Sequence, residues 1–171
     1  MTLRHYRGKG TRVIVDTIPA ADHPVLEHAD AVAERGAFRS AVDVLASWRD
    51  LLAAGRVIES QEQMVAVYLD ARHRAIGAAL LSRGSLASST FHPRDTFRHA
   101  VGVNAAAFVL MHNHPSGDPS PSSDDLMVTE RARRCGELLG ITLLDHIIVG
   151  RGRYYSCSDE REHTAETTAG H

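Results

Sequence analysis

The chain has 171 residues, 43% of them hydrophobic and 23% charged, with a formal net charge of −2 at pH 7, which fits a globular protein and excludes attraction to nucleic acid by overall charge. No stretch approaches the roughly 20 apolar residues that span a bilayer, the start lacks an apolar signal segment, and the two cysteines do not make a disulfide framework. We therefore expect a cytoplasmic protein without membrane contact.

The first 37 residues are predicted to be an extension that precedes the main domain. Its basic start turns apolar, which predicts either a loose arm or a short added strand at Thr11–Asp16. A helical pattern follows at about His23–Arg35. The main domain is predicted over residues 38–157, and a polar, disordered tail over residues 158–171.

The main domain is predicted to alternate helices and strands. A helix at about Arg39–Leu52 has apolar residues at helical spacing, and two strands at Met64–Leu69 and Ile76–Leu81 form a hairpin. The later predicted elements are a loop at Ser82–Thr90, a helix from Pro93 to about Asn104, a strand at Ala105–Met111, a helix from Ser122 to about Leu139, and strands at Ile141–Val149 and Arg153–Ser156. The buried face of the longest helix is predicted to consist of Val128, Ala132, Cys135 and Leu139. This alternation predicts an α/β fold, a three-layer-like sandwich of helices around a mixed β-sheet.

The residues that most strongly indicate a chemical function lie between the apolar strand that precedes residue 112 and the next predicted helix. His112 and His114 stand two apart at the strand end, so their side chains point to the same side. After a stiff loop rich in proline and containing Gly117, Ser122 is predicted as a helix N-cap, with Asp125 in the capping-box position. Two imidazoles and one carboxylate can therefore meet around one metal ion and leave a fourth position for water, as a hydrolytic zinc site requires.

Other residues near this pattern allow alternative assignments. Asp124 is the alternative third ligand, but one step along a helix turns a side chain by about 100°, so only one of the two aspartates should face the metal. Asp118 is interpreted first as loop structure and second as a hydrogen-bond partner of a ligand histidine. Asp145 and His146 lie inside an apolar strand, where an internal hydrogen bond is favoured over metal ligation.

The spacing His112-x-His114, seven residues, then Ser122-x-x-Asp125 is that of the JAMM motif of JAB/MPN metalloproteases. The chain resembles the RadC branch of that group from about Gln61 to Tyr155. The stretches that carry this resemblance are Phe91–Arg94, Asn104–Ala107, His112–Gly117 and Leu144–Gly150. The resemblance implies a JAB/MPN fold, similar to that of cytidine deaminases, and one Zn²⁺ per chain bound by the two histidines and Asp125. It also implies that the Ser122 hydroxyl lies near the catalytic water and the developing oxyanion.

The same family uses a glutamate on an earlier strand, which the resemblance places at Glu62. Attack on an amide needs a base and then an acid for the leaving amine, and one carboxylate beside the water can do both. From the residues alone, Glu62 can equally be a solvated residue at a strand edge. Glu59 is a nearby competitor, although the spacing to Asp70 favours Glu62.

The resemblance implies a zinc-dependent hydrolase that cleaves a peptide or isopeptide bond of a peptide or protein substrate by metal-activated water. The alternative is a RadC-like module of DNA-repair or mobile-element machinery that binds nucleic acid or protein, with little or no peptidase activity. The basic start and three arginines (Arg131, Arg133 and Arg134) permit it, but such charge runs are usually solvated. Longer RadC-type proteins carry an N-terminal helix-hairpin-helix segment; because residues 1–60 lack its glycine-centred pattern, we expect a short form without it.

Two other functions are excluded by their residue requirements. A nucleobase deaminase shares the fold type but needs H-x-E and P-C-x-x-C, and Cys135 and Cys157 are far apart in this sequence. The literal string His-Asn-His is not evidence for an HNH nuclease either, since that name refers to residues spread over a ββα unit. The substrate and the oligomeric state stay open at this stage.

Overall fold

The computed structural model describes residues 4–7, 12–15, 37–84 and 92–164. In chain order the elements are β1 (Arg4–Arg7), β2 (Arg12–Val15), α1 (Ala41–Ala53), β3 (Gln63–Leu69), β4 (Ala75–Arg83), α2 (Pro93–Gly102), β5 (Ala107–Asn113), α3 (Ser123–Leu139), β6 (Thr142–Val149), β7 (Arg153–Ser156) and β8 (Arg161–Thr164). The helix predicted at His23–Arg35 and the greater part of the loop predicted at Ser82–Thr90 lie outside the described residues. Among the described helices, none has both the length and the apolar character needed to cross a membrane.

Six strands form one mixed sheet in the order β4-β3-β5-β6-β7-β8, and β1 pairs with β2 in a separate antiparallel ribbon. Of the two alternatives predicted for the start of the chain, a loose arm or a short added strand, the structure shows the strand. Only the β5–β6 pair of the large sheet is parallel, and α3 supplies the long connection that a parallel pair needs. The carboxyl ends of β5 and β6 consequently lie at the same edge of the sheet.

Helices cover both faces of this sheet. On one face α1 packs through Val44, Trp48 and Leu51 against alternate residues of the central strands. On the other face α2 and α3 pack through residues such as Phe97 and Ala132. Alternate residues of β3 and β5 join each of the two cores, because side chains of a strand alternate between faces. The predicted α/β sandwich of helices around a mixed sheet is confirmed.

The strand predicted to be buried on both faces is β5, and all of its residues are buried. Its neighbours β3 and β6 satisfy its backbone on both sides. The strand continues through His112 and Asn113, beyond the predicted end at Met111. The first predicted ligand therefore belongs to a rigid, central element.

The prediction of a disordered tail from Ser158 is wrong for the part that the structure describes. A turn follows β7, and Arg161–Thr164 form β8 against it. The polar composition was misleading because an edge strand needs backbone partners and little apolar burial. Arg153 donates to Glu162 at 2.8 Å between Nη1 and Oε1, and the ring of His163 stacks on Tyr154 with centroids 4.9 Å apart. Residues 165–171 lie outside the described residues.

The buried face of α3 differs from the predicted one at its C-terminal end. Leu139, predicted to be buried, is 53% exposed, and Gly136 takes the contact position instead. A Cβ on Gly136 would lie 2.3 Å from the carbonyl oxygen of Ile141. The helix end thus approaches the following strand so closely that no side chain fits between them.

We expect Gly136→Ala to lower the free energy of unfolding by about 1–3 kcal/mol, because backbone atoms must move to admit the methyl group. Urea unfolding followed by circular dichroism measures this change. Gly102→Ala, at the end of α2, is the matched control, since a Cβ there meets no atom within 4 Å. The control should change stability by less than about 0.5 kcal/mol, and equal losses in both variants would contradict the packing argument.

Candidate metal centre

The structure brings together the side chains of His112, His114 and Asp125. His112 lies near the end of β5, His114 follows that strand, and Asp125 lies in the first turn of α3. The Nε2 atoms of the two histidines are 2.9 Å apart. Oδ1 of Asp125 lies 3.1 Å from Nε2 of His112, and Oδ2 lies 3.4 Å from Nε2 of His114. These residues form a group that could hold a metal ion.

The spacing of these atoms fits a small divalent cation. Tetrahedral zinc with ligand bonds of about 2.0–2.1 Å places its ligand atoms about 3.3 Å apart. The separations of 2.9, 3.1 and 3.4 Å are close to that value. The side chains of His112 and Asp125 are 0% and 2% exposed, whereas that of His114 is 18% exposed. The group is therefore closed from the core side and open beside His114.

Asp125 is held by the start of its own helix. The backbone N–H and the hydroxyl of Ser122 both donate to Oδ2, at 2.7 and 2.6 Å, and the Asp125 N–H donates to the Ser122 hydroxyl at 3.1 Å. This is the predicted capping box. Burial opposes ionisation of Asp125, but the hydrogen bonds with His112 and His114, the charge of His112 and the hydrogen bond from Ser122 hold its pKa far below the usual range. The helix cap thus keeps a charged carboxylate pointed at both imidazoles.

The orientation of His114 is fixed by a backbone carbonyl. Its Nδ1 lies 2.8 Å from the carbonyl oxygen of Asp118. A carbonyl only accepts, so Nδ1 carries a hydrogen, and in the neutral ring Nε2 is the nitrogen left without one. The hydrogen bond from His114 to Asp125 raises the pKa of His114 against the opposing effect of burial, so a metal ion must displace a proton held there at low pH.

The neighbouring acids have the secondary roles that the sequence suggested. The carboxylate of Asp118 accepts from the backbone N–H and hydroxyl of Ser120 at 3.0 and 2.7 Å, so it serves loop structure. The ligand histidine is instead held by its backbone oxygen. Asp124 is not part of the His-His-Asp group. The carboxylate of Asp145 accepts from the Ser156 hydroxyl at 2.7 Å, which confirms the predicted internal hydrogen bond.

Glu62 borders the group from the strand beside β5. It immediately precedes β3, whose Met64 pairs with His112. Its negative charge contributes to the raised pKa of His114. Glu59, the competing carboxylate, lies on the same segment and lines a cleft of about 220 Å³ next to His114. Both acids therefore lie on the segment that leads into β3, and the charge of Glu62 contributes to the raised pKa of His114.

Asn113 lies between the two histidines and supports the site in a way that the sequence analysis did not predict. It points away from the metal group, and its Oδ1 accepts from the backbone N–H of Gln63 at 3.0 Å. Its Nδ2 donates to the carbonyl oxygens of Glu59 and Gln61 at 3.2 and 3.1 Å. One buried amide thereby ties the acid-bearing segment to the strand that carries the first histidine. The only sequence signal was its position between the two histidines.

The cleft extends from His114 along the carboxyl ends of β5 and β6. The residues that line it are Trp48, Glu59, Ser60, Asn113, His114, Pro115, Gly117, Val149, Gly150 and Arg151. Its volume of about 220 Å³ admits a side chain or a short stretch of extended chain. Of the His-His-Asp group, its lining includes His114 and not His112 or Asp125.

We expect Gly150→Ala to weaken zinc binding by roughly 10-fold, because the loop that fixes His114 must move. A Cβ on Gly150 would lie 2.6 Å from the carbonyl oxygen of Gly117 and 2.8 Å from Cδ of Pro119. Competition with a chelating dye measures the zinc affinity. Gly77→Ala is the control, since its added Cβ meets its nearest neighbours at ordinary distances of 3.6 and 3.8 Å. Unchanged zinc affinity in the Gly150 variant would show that this loop does not hold His114 in position for the metal.

Comparisons with known proteins agree with this geometry. A family model described as the RadC-like JAB domain matches residues 38–163. A UPF0758 protein of Methanosarcina mazei is 47% identical over 102 residues, which are 60% of this chain and 44% of that protein. A UPF0758 protein of Latilactobacillus sakei is 49% identical over 102 residues, which are 60% of this chain and 46% of the relative. A UPF0758 protein of Bacillus licheniformis is 48% identical over 101 residues, 59% and 45% of the two chains.

The chain spans less than half the length of the curated relatives that it matches, and the names of those relatives state no activity. The family model, in contrast, covers most of the chain, including α1 to β8 almost in full. The chain therefore belongs to the RadC-like JAB domain family.

Proposed function

We propose that this chain is a zinc-dependent hydrolase that cleaves a peptide or isopeptide bond with metal-activated water. The observation that carries the proposal is the convergence of His112, His114 and Asp125, with His112 and Asp125 buried and His114 partly exposed. A structural zinc site would need a fourth protein ligand. Among the described residues the group has three members, which leaves a coordination position for water or substrate.

The role that we propose for each side chain follows from its position. His112, His114 and Asp125 would hold the ion. A zinc ion held by such a set would supply a water with its pKa lowered to about 7 and a Lewis acid for the substrate carbonyl. Glu62 would take a proton from that water and return it to the leaving amine. The cleft beside His114 positions the substrate chain.

Ser122 has a more constrained role than the resemblance alone suggested. Its hydroxyl donates to Oδ2 of Asp125 at 2.6 Å. A hydroxyl has one hydrogen, so Ser122 can stabilise an oxyanion only if that hydrogen leaves the carboxylate. We propose that Ser122 holds Asp125 in the resting site and turns its hydrogen to the oxyanion when substrate is bound.

The nucleic-acid alternative gains no support from α3. Arg133 and Arg134 both pair with Glu130, at 3.1 and 2.6 Å between nitrogen and oxygen. These pairs neutralise part of the basic run that suggested phosphate binding. Binding to nucleic acid stays a prediction.

Zinc content and bond cleavage test the proposal together. Purified chain is stripped with a chelator, reloaded with Zn²⁺ and incubated with libraries of linear and isopeptide-linked peptides, with mass spectrometry as the readout. We expect one zinc per chain and cleavage that disappears on stripping and returns with Zn²⁺ but not with Mg²⁺, which prefers oxygen ligands. A chain that takes up no zinc, or a zinc-loaded chain that cleaves neither library, would contradict the proposed function.

A further inference from the structure

A chain of buried hydrogen bonds runs behind His112 and returns to Asp125. Nδ1 of His112 lies 2.8 Å from Nε2 of His146, and Nδ1 of His146 lies 2.7 Å from Oγ1 of Thr129. Oγ1 of Thr129 lies 2.7 Å from the backbone carbonyl oxygen of Asp125. All of these residues are at most 4% exposed. The mechanism proposed above makes no use of His146 or Thr129.

The donor and acceptor in each of these hydrogen bonds follow from the last acceptor of the series, the backbone carbonyl of Asp125. The Asp125 carbonyl can only accept and lies 2.7 Å from Oγ1 of Thr129, whereas Sγ of Cys157 lies 3.8 Å away, so the single hydroxyl hydrogen of Thr129 is directed to the carbonyl. Thr129 must then accept from His146, which places the His146 hydrogen on Nδ1. The Nδ1 hydrogen is the one hydrogen that a neutral imidazole carries, so the Nε2 of His146 is an acceptor. His112 must donate from Nδ1, which leaves its Nε2 as a lone pair beside Asp125.

We infer that His146 and Thr129 are positioning residues that hold His112 in the one tautomer able to bind a metal ion. This inference rests on the metal centre of the proposed function. The opposing influence is the Asp125 carboxylate itself, whose Oδ1 lies 3.1 Å from Nε2 of His112. In the metal-free chain that carboxylate attracts a hydrogen to Nε2, which would block the ligand position. The hydrogen bond to His146 counters this attraction.

The fold explains why His112 depends on two further side chains, the His146–Thr129 relay, whereas His114 contacts a backbone carbonyl directly. His114 lies beyond β5 and reaches the free carbonyl of Asp118 directly. His112 lies within β5, between Met64 of β3 and Ile148 of β6, where backbone carbonyls serve the sheet. His146, two residues before Ile148 on the adjacent strand, supplies a side-chain acceptor instead. Both histidines are thus oriented by a backbone carbonyl. His114 contacts its carbonyl directly, and His112 is connected to one through the His146–Thr129 relay.

The relay is tested by removing the Thr129 hydroxyl and leaving its shape. In Thr129→Val, His146 loses its acceptor and is free to move its hydrogen to Nε2, which reverses the bond to His112. Nitrogen-15 NMR of the metal-free protein, at a pH where the imidazoles are neutral, reports the tautomer of His112. Wild type should carry the hydrogen on Nδ1, and Thr129→Val should shift it toward Nε2. Zinc affinity in the valine variant should fall by roughly 10–100-fold.

Conservative variants separate positioning from support of the fold. Thr129→Ser keeps the hydroxyl and should restore both tautomer and affinity. His146→Gln can accept with Oε1 and donate with Nε2, so it should retain more zinc affinity than His146→Leu. Thermal unfolding of the metal-free variants shows whether a loss of affinity is merely a loss of folded protein.

The outcomes distinguish the relay from the metal centre on which it rests. Equal zinc affinity in wild type and folded Thr129→Val would overturn the relay alone. A wild-type chain that takes up no zinc would overturn the metal centre and the role of the relay with it. If Thr129→Val does not fold, the wild-type spectrum decides, because a metal-free His112 with its hydrogen on Nε2 would refute the inferred direction.

Discussion

Replacing Glu62 by glutamine is expected to slow amide hydrolysis by a factor of roughly 10² to 10⁴ while the zinc content of the chain is unchanged. Glutamine keeps the size of the side chain and its capacity for hydrogen bonding, but it cannot take a proton from water or return one to the leaving amine. The rate at saturating substrate and the zinc content of the same preparation are the two measurements. Together they distinguish loss of a base from loss of the metal.

The position of Glu62 explains why we expect the rate to fall and the zinc content to stay unchanged. Glu62 lies outside the group of metal-ligating atoms, yet its charge acts on His114. Its backbone is fixed on both sides. The Glu62 carbonyl accepts from the N–H of Gly84 at 2.8 Å, and the adjoining Gln63 is bonded to Asn113. A carboxylate on so rigid a segment can be held beside the water at little cost in ordering.

Glu59→Gln is the matched control, because it makes the same chemical change on the same segment. Glu59 lines the cleft, so its loss is expected to affect substrate binding, seen as a change in KM, more than the rate at saturation. If Glu59→Gln removes turnover and Glu62→Gln retains it, the assignment of the base must be exchanged. If both variants retain turnover, neither carboxylate is the base.

The close grouping of His112, His114 and Asp125 was predictable because each part depends on local geometry. The period of two along a strand places His112 and His114 on one side, and a capping box fixes Asp125 relative to Ser122. The apolar run before His112 identified the central strand. These rules act over a few residues, so the sequence contains them in full.

The surroundings of the group were not predictable, because they depend on register between distant strands. In β6 the pairing with β5 shifts between Phe108 and Val109, so that Leu110 lies opposite His146. Without this shift His146 would point to the other face of the sheet, since a slip of one residue reverses every side chain. The internal hydrogen bond of His146 could be expected from its burial, but its partner could not. Asn113 is similar, because its bonds join residues about fifty positions apart.

Replacing Asp125 by asparagine is expected to weaken zinc binding by more than roughly 100-fold, since even groups that only support a ligand contribute 10–100-fold. The change removes the negative charge of the ligand group and leaves two neutral imidazoles, which hold a divalent ion poorly. The helix start should survive, because the amide oxygen of asparagine can still accept from Ser122. Activity should fall with the zinc content, and excess Zn²⁺ should restore part of it.

The metal-free chain offers an independent readout through acid stability. Asp125 has a folded-state pKa below its ordinary value, so it contributes stability above an unfolded-state pKa of about 4. This stability is lost as the pH falls from there toward the folded-state pKa. The asparagine variant has no such group and should lose less stability over the same acidic range. Urea unfolding at a series of pH values measures the difference.

Asp124→Asn provides the decisive comparison, because it makes the same change one residue earlier on α3. That step turns the side chain by about 100° around the helix, and Asp124 is outside the His-His-Asp group. The variant should therefore bind zinc and hydrolyse substrate as wild type does. If Asp124→Asn loses the metal and Asp125→Asn keeps it, the third ligand is Asp124, and the capping box serves the helix alone. If both variants bind zinc normally, the ion is not held by this helix, and the hydrolase proposal loses its support.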